Sequence, residues 1–115
     1  MILRFECEGI FIEETDLDVL IVGFHADEEY FVIQQSLDIE NAVYHIERDD
    51  QSYGGYGGVD RIALTRDRLE VTLNETGRKN LQRDGVEIDF ETDDETYRQL
   101  VEKLVLIFGE RLSVD

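Results

Sequence analysis

Apolar and polar residues alternate along much of the chain with the two-residue period of a half-buried β-strand. The clearest run is 86–90, where Val86, Ile88 and Phe90 point one way and Glu87 and Asp89 the other. In 18–24 the apolar stretch is continuous, which is typical of a strand covered on both faces. Similar runs, rich in β-branched and aromatic residues, predict strands over 2–6, 10–13, 30–35, 43–48, 61–65 and 69–73.

Polar gaps between these runs predict the turns. Residues 26–29 and the pair Arg66-Asp67 each separate two strand-like runs, as expected for hairpins. Residues 51–58 interrupt the alternation with four glycines and two tyrosines. There we expect a glycine-rich loop or bulge that joins two strands, with one tyrosine packed inward.

The end of the chain changes to helical periodicity. Thr92 and Glu95 fit a capping box at the start of a long helix, and Gly109 is placed to end it. A shorter polar helical piece is predicted within 74–81. The apolar residues of the long helix recur at helical spacing: Tyr97, Leu100, Val101, Leu104, Ile107 and Phe108.

These elements predict an α+β fold. We expect a mainly antiparallel sheet of about six to seven strands, packed by the long C-terminal helix. The chain has 115 residues, which is within the usual size of one domain, and it shows neither a linker nor an internal repeat. The sequence therefore predicts a single domain over residues 1–115.

The negative charge of the chain is high and unevenly distributed. Eleven basic residues against 28 acidic ones give a net charge of −17. Residues 1–50 carry 14 acids and two bases, whereas residues 51–115 carry 14 acids and nine bases. Such a field repels nucleic acid and attracts basic proteins from a distance. We therefore predict a protein partner, and we do not expect direct nucleic-acid binding.

The composition also predicts the compartment. No apolar run approaches the roughly 18 residues that a membrane helix needs, so we expect no membrane association. The N-terminal residues lack the basic and apolar regions of a secretory signal. Cys7 is the single cysteine, which fits a reducing environment. Together these features predict a cytoplasmic protein.

The sequence offers few residues for metal binding or catalysis. Cys7, His25 and His45 are not paired at metal-ligand spacing, and residues 49–54 lack the alternating acids and the terminal glutamate of a calcium loop. We therefore expect no metal and no cofactor. No serine has the context of a nucleophile elbow, and a lone cysteine is more often a packing residue. An enzyme that uses acidic residues with His25 or His45 stays as an alternative hypothesis.

The glycine–tyrosine segment also carries a resemblance. The core Asp50-Gln51-Ser52-Tyr53-Gly54-Gly55-Tyr56-Gly57-Gly58, then the Leu64-Thr65-Arg66-Asp67-Arg68-Leu69 run, resembles the immunity protein 10 family of bacterial polymorphic-toxin systems. The strand at 86–90, an acidic turn and the terminal helix continue the likeness, which spans roughly residues 20–108. The resemblance implies a cytoplasmic, non-enzymatic protein that neutralises a cognate toxin, encoded beside it, by direct binding.

Five residues are the candidates for partner contact: Asp49, Asp50, Tyr53, Tyr56 and Asp60. Exposed tyrosines offer large contact areas at low entropic cost, and an acidic rim around them would suit a basic toxin. A basic nuclease is the toxin that the charge favours. The other hypothesis is a self-associating structural domain, in which the glycine–tyrosine loop joins two protomers as a homodimer.

Overall fold

A computed structural model describes residues 1–115, except for the side chain of Gln51. It contains ten strands and two α-helices, and a short 3-10 helix at Gly109–Arg111 follows the second α-helix. The α-helices are α1 (Glu75–Leu81) and α2 (Asp94–Phe108). The strands are β1 (Ile2–Glu6), β2 (Gly9–Glu14), β3 (Val19–His25), β4 (Tyr30–Ser36), β5 (His45–Arg48), β6 (Asp50–Tyr56), β7 (Val59–Leu64), β8 (Arg68–Leu73), β9 (Gly85–Asp89) and β10 (Leu112–Val114).

The strands form two five-stranded sheets, and not the single sheet of six to seven strands that the sequence predicted. Strands β2 to β6 follow one another in order, with every neighbouring pair antiparallel; we call this the antiparallel sheet. The other, which we call the mixed sheet, has the order β1-β9-β8-β7-β10. Its β1–β9 and β7–β10 pairs are parallel. Alternation along a strand reveals its buried face but not which strands it pairs with, so the division into two sheets could not be predicted.

The two sheets and α2 share one hydrophobic core. Side chains such as Phe24 and Ile33 from the antiparallel sheet and Leu69 and Ile88 from the mixed sheet are fully buried in it. Burial of each contributes on the order of 1.5–3 kcal/mol before the conformational entropy is subtracted. The expected α+β class is therefore confirmed, with one core that supports both sheets.

The long helix forms as predicted, with one correction at its start. Leu100, Leu104 and Phe108 are buried, and Gly109 ends the helix with φ 55°. The N-cap is Asp93 and not Thr92, because the Asp93 carboxylate accepts a hydrogen bond from the backbone N–H of Thr96 at 2.7 Å. Hydrogen bonds from the side chain and the backbone N–H of Thr96 lower the pKa of Asp93.

Helix α2 contacts both sheets. The Phe108 ring packs edge-on against Tyr44 at 4.9 Å between centroids, just before β5 of the antiparallel sheet. The Lys103 amine lies 3.3 Å from a carboxylate oxygen of Glu14 in β2. At the other end, Arg66 in the β7–β8 turn of the mixed sheet pairs with Asp94 at 2.9 Å. The helix thus contacts both sheets across the core that they share.

The glycine–tyrosine segment is a strand, so the predicted loop is wrong. Residues 50–56 form β6, which pairs with β5 and has one register shift between Glu47 and Arg48. The chain enters β6 through a tight turn at Asp49, whose φ is 57°. Glycine has a low strand propensity, so this strand depends on tertiary contacts. One of these is with α1, which packs directly on it. A Cβ on Gly55 would lie 2.2 Å from the Asn80 side chain of α1.

The last glycine of the segment, Gly58, contacts the backbone of α1. A Cβ on Gly58 would lie 2.7 Å from the Cα of Gly77 in α1, and a Cβ on Gly77 would lie 2.2 Å from the Gly58 carbonyl oxygen. The backbone N–H of Asn74 donates to that oxygen at 2.9 Å. The glycines therefore let the start of α1 lie directly against the connection between β6 and β7.

Candidate functional site

The five predicted contact residues lie on different parts of the molecule. Asp49 and Asp50 form the turn at the start of β6. Asp49 is partly buried, and its carboxylate accepts from the backbone N–H of Tyr30 at 2.9 Å and from the Arg48 guanidinium at 3.1 Å. Asp50 is exposed and accepts from the backbone N–H and the hydroxyl of Ser52, which lowers its pKa. The Asp49 carboxylate therefore stabilises the turn through these hydrogen bonds, whereas Asp50 is exposed to solvent.

Tyr53 covers a buried cation. Arg48 is only 5% exposed. Its Nε donates a 2.6 Å hydrogen bond to the carbonyl oxygen of Leu81, the last residue of α1. Its Cζ lies 4.0 Å from the centroid of the Tyr53 ring. Such a cation–π contact is most favourable where water is excluded. The sequence analysis did not identify Arg48 as a buried residue. The available signal was its position two residues after the buried Ile46, because residues two apart on a strand share a face.

The surface beside Tyr53 is basic. A groove of about 600 Å³ lies there, and Lys79 and Arg83 are among its lining residues. Positive side chains repel a basic partner, so this part of the surface is poorly suited to the toxin that the net charge favours. The prediction that Tyr53 contacts a partner is untested by these contacts.

Tyr56 lies on the opposite face of β6 from Tyr53, since the two are three residues apart on a strand. It is 69% exposed, and its ring packs edge-on against His45 at 5.1 Å between centroids. It borders a hollow of about 560 Å³ that also includes Val43 and Ile39. Asp50 and Tyr56 are the two ends of β6, about 20 Å apart at the rise of an extended strand.

Asp60 belongs to the mixed sheet. It is exposed in β7, at a register shift between Val59 and Arg61. The two aspartates at 49 and 50, the two tyrosines and Asp60 therefore do not form one patch. A role of each in partner binding stays a prediction.

The negative charge that no base offsets is concentrated on the antiparallel sheet. Residues 9–56, which contain β2 to β6 and their connections, carry twelve acids and one base, a net charge of −11. The base is Arg48, which is buried. Nine of the acids are exposed: Glu13, Glu14, Asp16, Asp18, Asp27, Glu28, Asp38, Glu40 and Asp50. This half of the molecule therefore presents negative charge to solvent without an exposed base of its own.

The mixed sheet has many acids as well, but ion pairs neutralise several of them. Arg4 lies 2.6 Å from Glu87 across the β1–β9 pair, and Arg68 lies 2.7 Å from Asp89 across the β8–β9 pair. On the antiparallel sheet, the ion pairs among the described side chains are Asp49 with Arg48 and Glu14 with Lys103 of α2. The uncompensated field is therefore strongest on the antiparallel sheet.

The surroundings of the candidate catalytic residues favour packing over chemistry. Burial raises the pKa of the Cys7 thiol, which disfavours the nucleophilic thiolate, and the thiol donates to the Gly9 carbonyl oxygen at 2.9 Å. His25 is exposed and lies beside the Phe11 ring. The hollow beside His45 is lined by apolar, amide and hydroxyl side chains, with no carboxylate among the described residues.

Tyr30 is the titratable residue with the clearest perturbation on the antiparallel sheet. Its hydroxyl donates to Glu47 at 2.5 Å, and burial together with this bond raises the pKa of Tyr30 to about 12.

Among the described side chains, no three His, Cys, Asp or Glu residues are grouped to hold a metal ion. Within the same part of the chain, neither helix has the length and apolar character needed to cross a bilayer.

Comparison with known proteins gives one match. The sequence model of the family described as Immunity protein 10 matches residues 7–98, which is most of the chain and includes both α1 and the glycine–tyrosine strand. No curated protein and no solved structure matches the chain.

Proposed function

The chain belongs to the immunity protein 10 family, and from this premise we propose that it neutralises a cognate toxin by direct stoichiometric binding. The mechanism is inhibition by binding, without catalysis. The complex forms in the cytoplasm of the cell that encodes both proteins. The acids of the antiparallel sheet attract the toxin, whose binding surface is basic.

The observation that supports this proposal is the distribution of exposed charge. Twelve acids and one buried base lie within residues 9–56, whereas ion pairs such as Arg4–Glu87 lie across the mixed sheet. A charged surface of one sign accelerates association with an opposite surface and excludes partners of the same sign. The antiparallel sheet is therefore the surface best suited to capture a basic protein.

A basic nuclease is the toxin class that this surface fits best. Enzymes that bind nucleic acid present Lys and Arg to phosphates, and carboxylates of the antiparallel sheet would occupy those positions. The mechanism requires that binding weakens as salt rises, because exposed charges are screened beyond about 8 Å at physiological ionic strength. Toxin binding that is insensitive to salt would count against a nuclease recognised through charge.

The experiment is a pull-down of the tagged protein against the product of the neighbouring gene, at low and at high salt. We expect capture in a 1:1 ratio, weaker retention at high salt and loss of toxicity when the two genes are expressed together. A folded chain that neither captures the toxin nor protects cells from it would overturn the proposal. Circular dichroism of the same preparation establishes that it is folded.

A further inference from the structure

The end of the antiparallel sheet where β3 begins and β6 ends contains a concave, mostly apolar surface. Val19, Ile39, Ala42, Val43, His45 and Tyr56 line it; we call it the Tyr56 hollow. We propose that the Tyr56 hollow is the anchor point of the toxin interface, where one apolar side chain of the basic toxin surface inserts. This inference rests on the proposed function and adds a location to it.

The hollow leaves apolar side chains in water. Tyr56 is 69% exposed, Ile39 62% and Val43 56%, which are large fractions for residues of this kind. Leu17 and Leu37 are also exposed in the two neighbouring turns, which the hydrogen bond from the Leu37 N–H to the Asp18 carbonyl oxygen at 2.7 Å connects. Adjoining exposed apolar residues of this extent mark interaction sites more often than chance positions do.

The shape of the hollow is fixed before a partner arrives. The Gln35 side-chain amide donates to the carbonyl oxygens of Ala42 at 3.0 Å and Ser36 at 3.1 Å, and so closes the loop between β4 and β5. Within this loop, the Ala42 N–H donates to the Ile39 carbonyl oxygen at 3.3 Å. A loop that is already ordered loses less conformational entropy on binding.

The charges around the hollow select a basic occupant. Asp16, Asp18, Asp38 and Glu40 are exposed in the turns that border it. The single base within residues 9–56, Arg48, is buried. An apolar centre inside a charged rim is the usual arrangement of a protein interface, and a rim of one sign requires a partner of the other sign.

One wall of the hollow contains an unpaired polar atom. Nδ1 of His45 is buried, and it has no hydrogen-bond partner among the described residues. Buried polar atoms are normally paired in native proteins, because an unpaired one is costly. Because Nδ1 of His45 is buried, a partner could pair with it only after a neighbouring side chain moves.

A second exposed apolar pair supplies a matched control. Val105 is 50% and Leu106 60% exposed, close to the values for Val43 and Ile39. They lie on the convex surface of α2, outside the antiparallel sheet and its acidic turns. Substitutions at Val105 and Leu106 remove apolar side chains of similar exposure. These side chains do not line the hollow and lie outside its acidic turns.

The test measures binding of the purified toxin domain encoded by the neighbouring gene. The hollow variant is Ile39→Ser with Val43→Ser, and the control is Val105→Ser with Leu106→Ser. For anchor residues we expect a rise in Kd of at least about 10-fold for the hollow variant, mostly through faster dissociation, and a change under about 2-fold for the control. Tyr56→Ala is the second hollow variant, with the same expectation.

The outcomes separate this inference from the proposed function. If both hollow variants bind the toxin like the control while the wild type binds tightly, the anchor is wrong and the proposed function stands. If the wild type does not bind the toxin, both are wrong. If light scattering shows that the free chain is a dimer which the hollow variant converts to a monomer, the occupant is a second copy of the chain and the inference is overturned.

Discussion

Gly77→Ala is expected to destabilise the protein, although the same change in an ordinary helix is stabilising. Alanine has a higher helix propensity than glycine, by at most about 1 kcal/mol. In α1, however, the new Cβ would lie 2.2 Å from the Gly58 carbonyl oxygen and 2.9 Å from its carbon. Real Cβ atoms essentially never approach closer than 3.0 Å, so the helix start must move by about 0.8 Å.

The cost of that movement exceeds the gain in propensity. Overpacking of this kind costs about 1–3 kcal/mol, and the shift also stretches the hydrogen bond from the Asn74 N–H to the Gly58 carbonyl oxygen, worth about 1 kcal/mol. After the helical gain is subtracted, Gly77→Ala should lower the free energy of unfolding by about 1–3 kcal/mol.

The assay is urea unfolding followed by circular dichroism, with the slope on urea compared as well as the midpoint. Thr76→Ala, at an exposed neighbouring position of α1, is the control and should be neutral or stabilising by up to about 0.5 kcal/mol. Gly55→Ala meets the end of the Asn80 side chain, which can move, so the loss should be smaller and Asn80→Ala should restore it. A Gly77→Ala protein as stable as Thr76→Ala would refute this account of the glycines.

Three further predictions concern stability. Arg48→Ala leaves the Leu81 carbonyl oxygen without its charged donor and should cost about 2–4 kcal/mol in urea unfolding; a loss under about 0.5 kcal/mol would contradict the buried-cation geometry. The pKa of Tyr30 is raised to about 12, so the folded state keeps a proton that the unfolded state loses from about pH 10. Stability should therefore fall between pH 10 and 12, and Tyr30→Phe should remove that slope. Asp93→Ala should lower Tm more than Thr92→Ala at pH 7, and the difference should vanish as pH falls through the lowered pKa of Asp93. Equal Tm values at pH 7 would contradict Asp93 as the cap, and a lower Tm for Thr92→Ala would point to Thr92 instead.

Elements with a strong period could be predicted from the sequence. The alternation at 86–90 and the helical stripe ending at Gly109 both correspond to observed elements, because burial of one face determines them locally. The strand β6 could not be predicted, since its glycines have no side chains to alternate. Its pairing with β5 and the packing of α1 on it are long-range contacts. The short strand β10 (Leu112–Val114) was missed for a similar reason, as it depends on its parallel pairing with β7.

The candidate site was predicted in composition but not in geometry. The excess of acids in the first half of the chain corresponds to one sheet, because β2 to β6 are consecutive in sequence. The two tyrosines were predicted to act together, yet an odd spacing on a strand places Tyr53 and Tyr56 on opposite faces. Val43 was assigned to a strand, but β5 begins at His45 and leaves Val43 exposed in the preceding loop. Recognition of the hollow required the fold of that loop.

The most direct test of the central claim compares two variants of equal charge in their rate of association with the toxin. One neutralises acids at the Tyr56 hollow end of the antiparallel sheet, as Asp16→Asn, Asp38→Asn and Glu40→Gln. The other neutralises three exposed acids outside that sheet, as Glu75→Gln, Glu91→Gln and Glu110→Gln.

Both triple variants change the net charge by the same amount, so a difference between them reports where the toxin approaches. The account predicts that the first variant associates at least about 5-fold more slowly than the second at low salt, and that the difference shrinks at high salt. Equal rates for the two variants at low salt would contradict capture through the Tyr56 hollow end of the antiparallel sheet.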